Sequence, residues 1–237
     1  TGMMDGNPTE ARTMSLGIIE LNDSNIQLSQ DDRQWSSPGY ALATADEVLI
    51  GEAARQQARL MPLSAFNQFW HRLSLEATSS ANHRVRHHAD LAYFQLSDLA
   101  QQAGECDEVV LAVPGNFSAD QLSLLLGIAR ECPFNAVGLV DCAVAALAPE
   151  VGQGRYLHVD IQLHQVVISE VEVDSEARLA KTEPVPEAGL ETLYGHWARM
   201  ISDQFIQQTR FDPLHTAEAE QQLYNHLSAW VAEAGED

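Results

Sequence analysis

His158, Asp160 and His164 are the residues of this sequence whose types and spacing come nearest to a metal site. Residues two apart on a strand project from the same side, and imidazole nitrogen with carboxylate oxygen is a donor set that suits zinc. Such a site would make the protein a metal-assisted hydrolase. A third ligand from His164 requires a hairpin to return it, and the turn near Gln162 breaks the parity, so a solvated strand end is the simpler reading. His83, His87 and His88 could put two imidazoles on one helical face at i and i+4, but Arg84 and Arg86 between them would repel a cation. Cys106, Cys132 and Cys142 show no CxxC spacing and cannot all pair, which fits core thiols better than a disulfide framework or a zinc ribbon. There is no G-x-S-x-G elbow, H-E-x-x-H helix, intact P-loop or Rossmann fingerprint. Gly152-Gln153-Gly154 precedes a strand rather than following one and reads as a linker.

The charge balance narrows the partners. Thirteen basic residues against 34 acidic ones give a formal net charge of −21 over 237 residues. That field repels nucleic acids and anionic membrane surfaces. The basic run His83–His88 is short and reads as a solvated loop. Leu122 to Ala129, the longest apolar stretch, falls far short of the ~20 residues a membrane span needs, and Thr1 to Met14 is polar with no apolar core. The expectation is a cytoplasmic protein with a disordered leader over residues 1–14, no nucleic-acid partner and no membrane partner.

The elements that would position these groups can be read from periodicity. Ser15 to Leu21 and Asn25 to Leu28 are short apolar runs joined by Asn22-Asp23-Ser24, the pattern of a β-hairpin. A third strand is expected between Tyr40 and Ile50, and a helix from Glu52 to Leu60 that stops at Pro62. Phe66, Phe69, Trp70 and Leu73 recur at helical spacing and read as core. Leu91, Phe94 and Leu99 mark a helix that Gly104 ends. Val109 to Val113 is an uninterrupted apolar run, expected to be a strand buried on both faces. Ser118-Ala119-Asp120-Gln121 has the spacing of a capping box and predicts a helix ending at Pro133. Ala136 to Val140 is a strand, and Asp141 to Ala148 a short helix stopped by Pro149. Then the pattern restarts: strands at Tyr156 to Ile161, Val166 to Val173 and Arg178 to Glu183, a helix from Leu190 to Gln208, and another from Ala217 to Ala232. Leu190, Leu193, Trp197, Ile201 and Phe205 are spaced as the core face of the first of these helices.

A β-β-β-α-β-α-β-α unit that begins again is the plan of the actin and heat-shock chaperone superfamily, and four stretches resemble its DnaK-type branch in order along the chain. Leu49-Ile50-Gly51-Glu52-Ala53-Ala54-Arg55 with Pro62 is similar to "IGDAA…NP". Val110-Leu111-Ala112-Val113-Pro114-Gly115-Asn116-Phe117 with Asp120-Gln121 is similar to "VTVPAYFNDAQ", the most specific of the four. Leu139 to Leu147 resembles "INEPTAAAL", and Leu157-His158-Val159-Asp160 resembles the first half of "FDLGGGTFD". The resemblance covers Ser15 to Gln208. It implies an α/β, two-lobed actin-like ATPase (ribonuclease H-like) fold, with a first lobe over 15–152 and a second, incomplete one over 153–237.

The departures fall where the family does its chemistry. Its two glycine-rich hairpins let backbone N–H groups approach phosphates, which only residues without a Cβ permit. Here the first, "GIDLGTT", stands as Gly17-Ile18-Ile19-Glu20-Leu21-Asn22-Asp23, so Ile19 replaces the metal-side aspartate and Leu21 the turn glycine. The second, "DLGGGT", stands as Asp160-Ile161-Gln162-Leu163-His164-Gln165, keeping the aspartate and losing every glycine. The family's first-lobe lysine has no counterpart, because Lys181, in the second lobe, is the only lysine. Asp141 stands for the glutamate of "INEPT" and Cys142 for its proline. Asp160 and Asp141 are therefore remnant positions of a nucleotide site. The expectation is a degenerate ATPase with no catalytic residues, no bound metal and no cofactor, acting as a scaffold for a protein partner and open to self-association through the second lobe's sheet edge. The alternative is an ATP-binding chaperone ATPase that takes ATP and Mg²⁺ through divergent loops.

Overall fold

The computed structural model describes residues 15–104, 106–147 and 151–234. The expected leader over 1–14 and the stop at Pro149 lie outside them. Among the described residues the fold is mixed α/β, with a five-stranded sheet, two three-stranded sheets and six helices.

The chain opens on the hairpin that its apolar runs require, β1 (Leu16–Glu20) with β2 (Ile26–Gln30). The turn closes because the Asn22 side-chain oxygen accepts the N–H of Ser24 at 2.9 Å, an Asx turn. The third strand of this sheet is β3 (Arg33–Ser37), not a segment within Tyr40–Ile50. Its sequence, RQWSS, lacks an apolar alternation because it is an edge strand. Asp31, at φ 52°, makes the tight turn into it. The stretch from Tyr40 to Ile50 instead forms β4 (Ala41–Ala43) and β5 (Val48–Ile50) of a separate small sheet.

The expected Glu52–Leu60 helix shortens to α1 (Glu52–Arg55) followed by turns. Phe66, Phe69, Trp70 and Leu73 do not share a helix. Phe66 belongs to β6 (Ala65–Phe66), which completes the small sheet, and the other three are buried from a turn-rich segment. Their burial follows from their apolar bulk rather than from periodicity.

The helix α2 (His88–Ala103) starts with the Asp90 carboxylate capping the N–H groups of Arg86 and His87, and ends at Gly104, whose φ of 78° suits a residue without Cβ. Next, β7 (Glu108–Val113) runs parallel to β1 and to β8 (Asn135–Asp141), giving the order β3-β2-β1-β7-β8. Between them α3 (Ala119–Glu131) carries the expected capping box, Gln121 N–H to Ser118 Oγ at 3.2 Å and Ser118 N–H to Gln121 Oε1 at 3.0 Å. Both helices pack their apolar residues on one face of the sheet, with Leu91, Leu96, Leu99 and Leu125 against Ile19, Leu28, Val109 and Leu111. The strand β7 is central, and it is buried on both faces only toward its end: Val109 is fully buried and Val110 half-buried, while Ala112, on the Val110 side, is buried again.

The α4 helix (Cys142–Ala145) leads to the meander of β9 (Gly154–Ile161), β10 (Gln165–Val173) and β11 (Ala177–Pro186), ordered β11-β10-β9. The chain closes with α5 (Leu190–Thr209) and α6 (Ala217–Ala234). The stripe expected to be the core face of α5 is offset. Tyr194, Ala198 and Ser202 are buried, whereas Trp197 is 37% and Phe205 46% exposed. α6 meets α5 on the Tyr194–Ala198 side, through Leu223 and Leu227, and leaves one flank of the apolar stripe open. Among the described residues no helix is long and apolar enough to cross a membrane.

Candidate functional site

The β1–β2 and β9–β10 turns meet directly. Asn22, at the β1–β2 turn, donates its amide to Asp160 Oδ1 at 2.6 Å and to the Ile161 carbonyl at 3.2 Å. The Asp23 carboxylate accepts the backbone N–H of Leu163 at 2.7 Å. On the other side, Gln162 donates to Asp160 Oδ2 at 2.8 Å and accepts from Gln165 at 2.8 Å. Asn22, Asp23, Asp160, Gln162 and Gln165 thus all find partners within the two turns.

Apolar side chains plug the two turns. Leu163 is buried in an apolar cluster with Tyr40, Leu42 and Ala54, so the β9–β10 turn is anchored in the small sheet. Leu21 is buried, and its N–H continues the strand by donating to Ala112 at 2.9 Å. Ile19 is buried against the helices. The ring of His164 donates through Nε2 to the Asn67 carbonyl at 2.8 Å.

Burial sets the electrostatics. Asp23 is pushed up from an ordinary 3.8 to about 6, chiefly because its charge is desolvated; the Leu163 N–H and the nearby His164 pull it down, and Asp160 adds to the rise. Asp160 is raised for the same first reason, opposed by Gln162, His158 and Asn22. The thiol of Cys142 is driven far up by burial and then by Asp160, Glu20 and Asp141, so it is no nucleophile at neutral pH.

Asp141 serves a helix: its Oδ1 caps α4 by accepting from Ala143 N–H at 2.8 Å and Val144 N–H at 3.3 Å. Its other oxygen lies beside Gly115, where a Cβ would come within 2.6 Å of it and 2.8 Å of Thr182 Oγ1. Lys181 is exposed on β11 and pairs with Glu183 at 3.1 Å, away from the joint. His158 and Asp160 do share one face of β9, as their parity requires, and His158 attracts the Asp160 charge, but His164 is committed to Asn67. His87 caps α2, and His88 bonds the Arg72 carbonyl at 2.9 Å. Among the described residues no three His, Cys, Asp or Glu side chains converge as a metal-binding group. No family model and no curated protein matches the sequence.

A second polar centre went unnoticed in the sequence. Arg59 lies between the Glu191 carboxylate, at 2.9 Å, and the Tyr224 ring, 3.9 Å from its centroid, with Glu220 at 3.8 Å. Tyr40 donates its hydroxyl to Glu191, and Arg55 donates to Ser228. Gln221 accepts from the Arg59 N–H at 2.8 Å and donates to the Arg55 carbonyl at 3.1 Å. This clamp fastens α5 and α6 to the segment after α1. The available signal was weak: two arginines four apart on a helical stretch, facing acids more than 130 residues away.

Proposed function

We propose that this chain is a non-catalytic relative of the DnaK-type chaperone ATPases, a two-lobed actin-like scaffold that binds a protein rather than hydrolysing ATP. The observation that carries the reading is the bond from Leu163 N–H to the Asp23 carboxylate. In a phosphate-binding hairpin that backbone N–H would face a phosphoryl oxygen; here an internal carboxylate takes its place. The facing turns are tied further by Asn22 to Asp160, and the side chains of Leu21 and Leu163 fill the positions where glycine would allow backbone approach. Phosphoryl transfer depends on positioning and cationic stabilisation. The only lysine, Lys181, is engaged at the surface with Glu183. The three described cysteines are free and buried, which fits a reducing compartment such as the cytoplasm.

Calorimetry and thermal shift with Mg-ATP test this reading. A micromolar site at about 1 mM nucleotide would add ~4 kcal/mol to the stability of the native state. The expected result is no heat and no shift. A clear Mg-dependent stabilisation by ATP that Asp160→Ala abolishes would instead establish the ATP-binding chaperone alternative.

A further inference from the structure

We propose that β9 is a docking edge for a second copy of this chain, the two β9 strands pairing antiparallel about a two-fold axis. The inference does not depend on the ATPase reading.

In the order β11-β10-β9 the last strand has a neighbour on one side only. The bond from Gln162 N–H to the Gln165 carbonyl and the register Asp160↔Val167 set its phase. Asp160, His158 and Tyr156 direct their backbone groups to β10, so Arg155, Leu157, Val159 and Ile161 direct theirs outward. Asn22 takes the outward carbonyl of Ile161 at 3.2 Å. The outward N–H and C=O groups of Arg155, Leu157 and Val159 have no partner among the described residues.

Edge strands that stay solitary are protected by lysine, proline, a bulge or a short length. Strand β9 has none of these: it runs eight residues without lysine or proline, and its register with β10 is unbroken, the irregularity lying instead between β10 and β11. Its open face is apolar, with Leu157 72%, Val159 56% and Ile161 44% exposed.

Charge selects a like strand as the occupant. In a chain of net charge −21, the open face of β9 carries no carboxylate. Its one charge, Arg155, is already balanced by Glu170 at 3.3 Å and Glu172 at 2.9 Å. A register centred on Leu157 ends the second copy's β9 opposite Asp160, one residue short of the Ile161 carbonyl that Asn22 takes. It sets Leu157 against Leu157, Arg155 against Val159, and Tyr156 against His158 on the other face, with no like charges opposed. Two-fold pairing also closes on itself, giving a dimer rather than a fibre. The acidity of the rest of the chain opposes the encounter, so screening by salt favours it.

Light scattering and sedimentation of the purified chain over a wide concentration range test the proposal. The expected result is a monomer–dimer equilibrium whose dimer fraction rises with sodium chloride. Leu157→Lys, and separately Val159→Pro, which removes an outward N–H and no bond to β10, should each weaken dimerisation at least about tenfold. Both variants should still melt cooperatively as monomers. Leu157→Cys should form an oxidised covalent dimer, whereas Val185→Cys on β11 should not. A strict monomer at every concentration and salt overturns the proposal. So does a dimer that survives both edge substitutions, or one that cross-links equally through position 185.

Discussion

The carboxylate of Asp23 accepts the backbone N–H of Leu163 at 2.7 Å, joining turns that lie 140 residues apart. The same residue's carbonyl accepts the N–H of Gly39 at 2.9 Å, so Asp23 ties together the β1–β2 turn, the entry to the small sheet and the β9–β10 turn. A buried carboxylate in this position holds the joint closed, yet its desolvation sets its protonation against its charge.

That conflict makes stability depend on pH. Asp23 rises from 3.8 to about 6 on folding, so the native state binds the proton more tightly than the unfolded one. The associated stability is fully present below pH 3.8, declines as pH rises to about 6, and is gone above it. Asp160 is shifted in the same direction. Asp23→Asn retains an oxygen for the Leu163 N–H and removes the charge. It should raise stability at pH 8 by up to ~3 kcal/mol and flatten the profile between pH 4 and 6. Urea melts across that range check it; an Asn variant less stable than the parent at pH 8 would show that the ionised carboxylate is the favoured partner.

Gly189 is the point where α5 leaves the joint. A Cβ there would come within 2.5 Å of Gln165 N and closer to the Leu163 carbonyl, both backbone atoms that cannot rotate aside. Gly189→Ala should therefore cost about 2–3 kcal/mol. Gly104→Ala meets no neighbour and strains only its φ of 78°, and should cost about 1 kcal/mol. Thermal melts of the two variants give the comparison, and equal losses would mean that the turn shifts to admit the methyl group.

On β7 the two neighbouring valines should answer differently. Val109→Asp places an unpaired charge in a fully buried site and should prevent folding or cost at least about 4 kcal/mol. Val110→Asp places the charge at a half-buried site on the other face of the sheet and should cost about 1–2 kcal/mol, leaving a soluble, cooperative protein. Equal loss in both would require that face to be covered in solution.

Arg59→Met removes the cation held between Glu191 and the Tyr224 ring. The loss should be about 2 kcal/mol, with faster amide exchange concentrated in α5 and α6. Unchanged exchange there would mean that apolar contacts of Leu190 and Leu163 alone seat these helices.

Local signals were sufficient for the hairpin at Asn22-Asp23-Ser24, the capping box at Ser118 and Gln121, the Gly104 stop and the strands β7 to β11, because each is decided by neighbours in sequence. The polar edge strand β3 escaped, since an edge exposed to water needs no apolar alternation. The small sheet and the turns bearing Phe69 and Trp70 escaped because their shape answers to what packs on them. The amphipathic stripe of α5 was legible as a pattern, but which side of it would be buried depended on where α6 docks.

At the candidate site, the sequence by itself determined that neither turn carries a glycine, that aspartates stand at 141 and 160, and that the chain's single lysine is Lys181. These are matters of composition at fixed positions. Only the tertiary structure decided what these residues do: that Leu163 inserts beside Tyr40 and Leu42, that Asp141 caps α4, that His164 turns to Asn67, and that Asp23 reaches the Leu163 N–H. Such contacts join segments far apart in the chain, and their energies depend on burial and mutual geometry that no local spacing encodes.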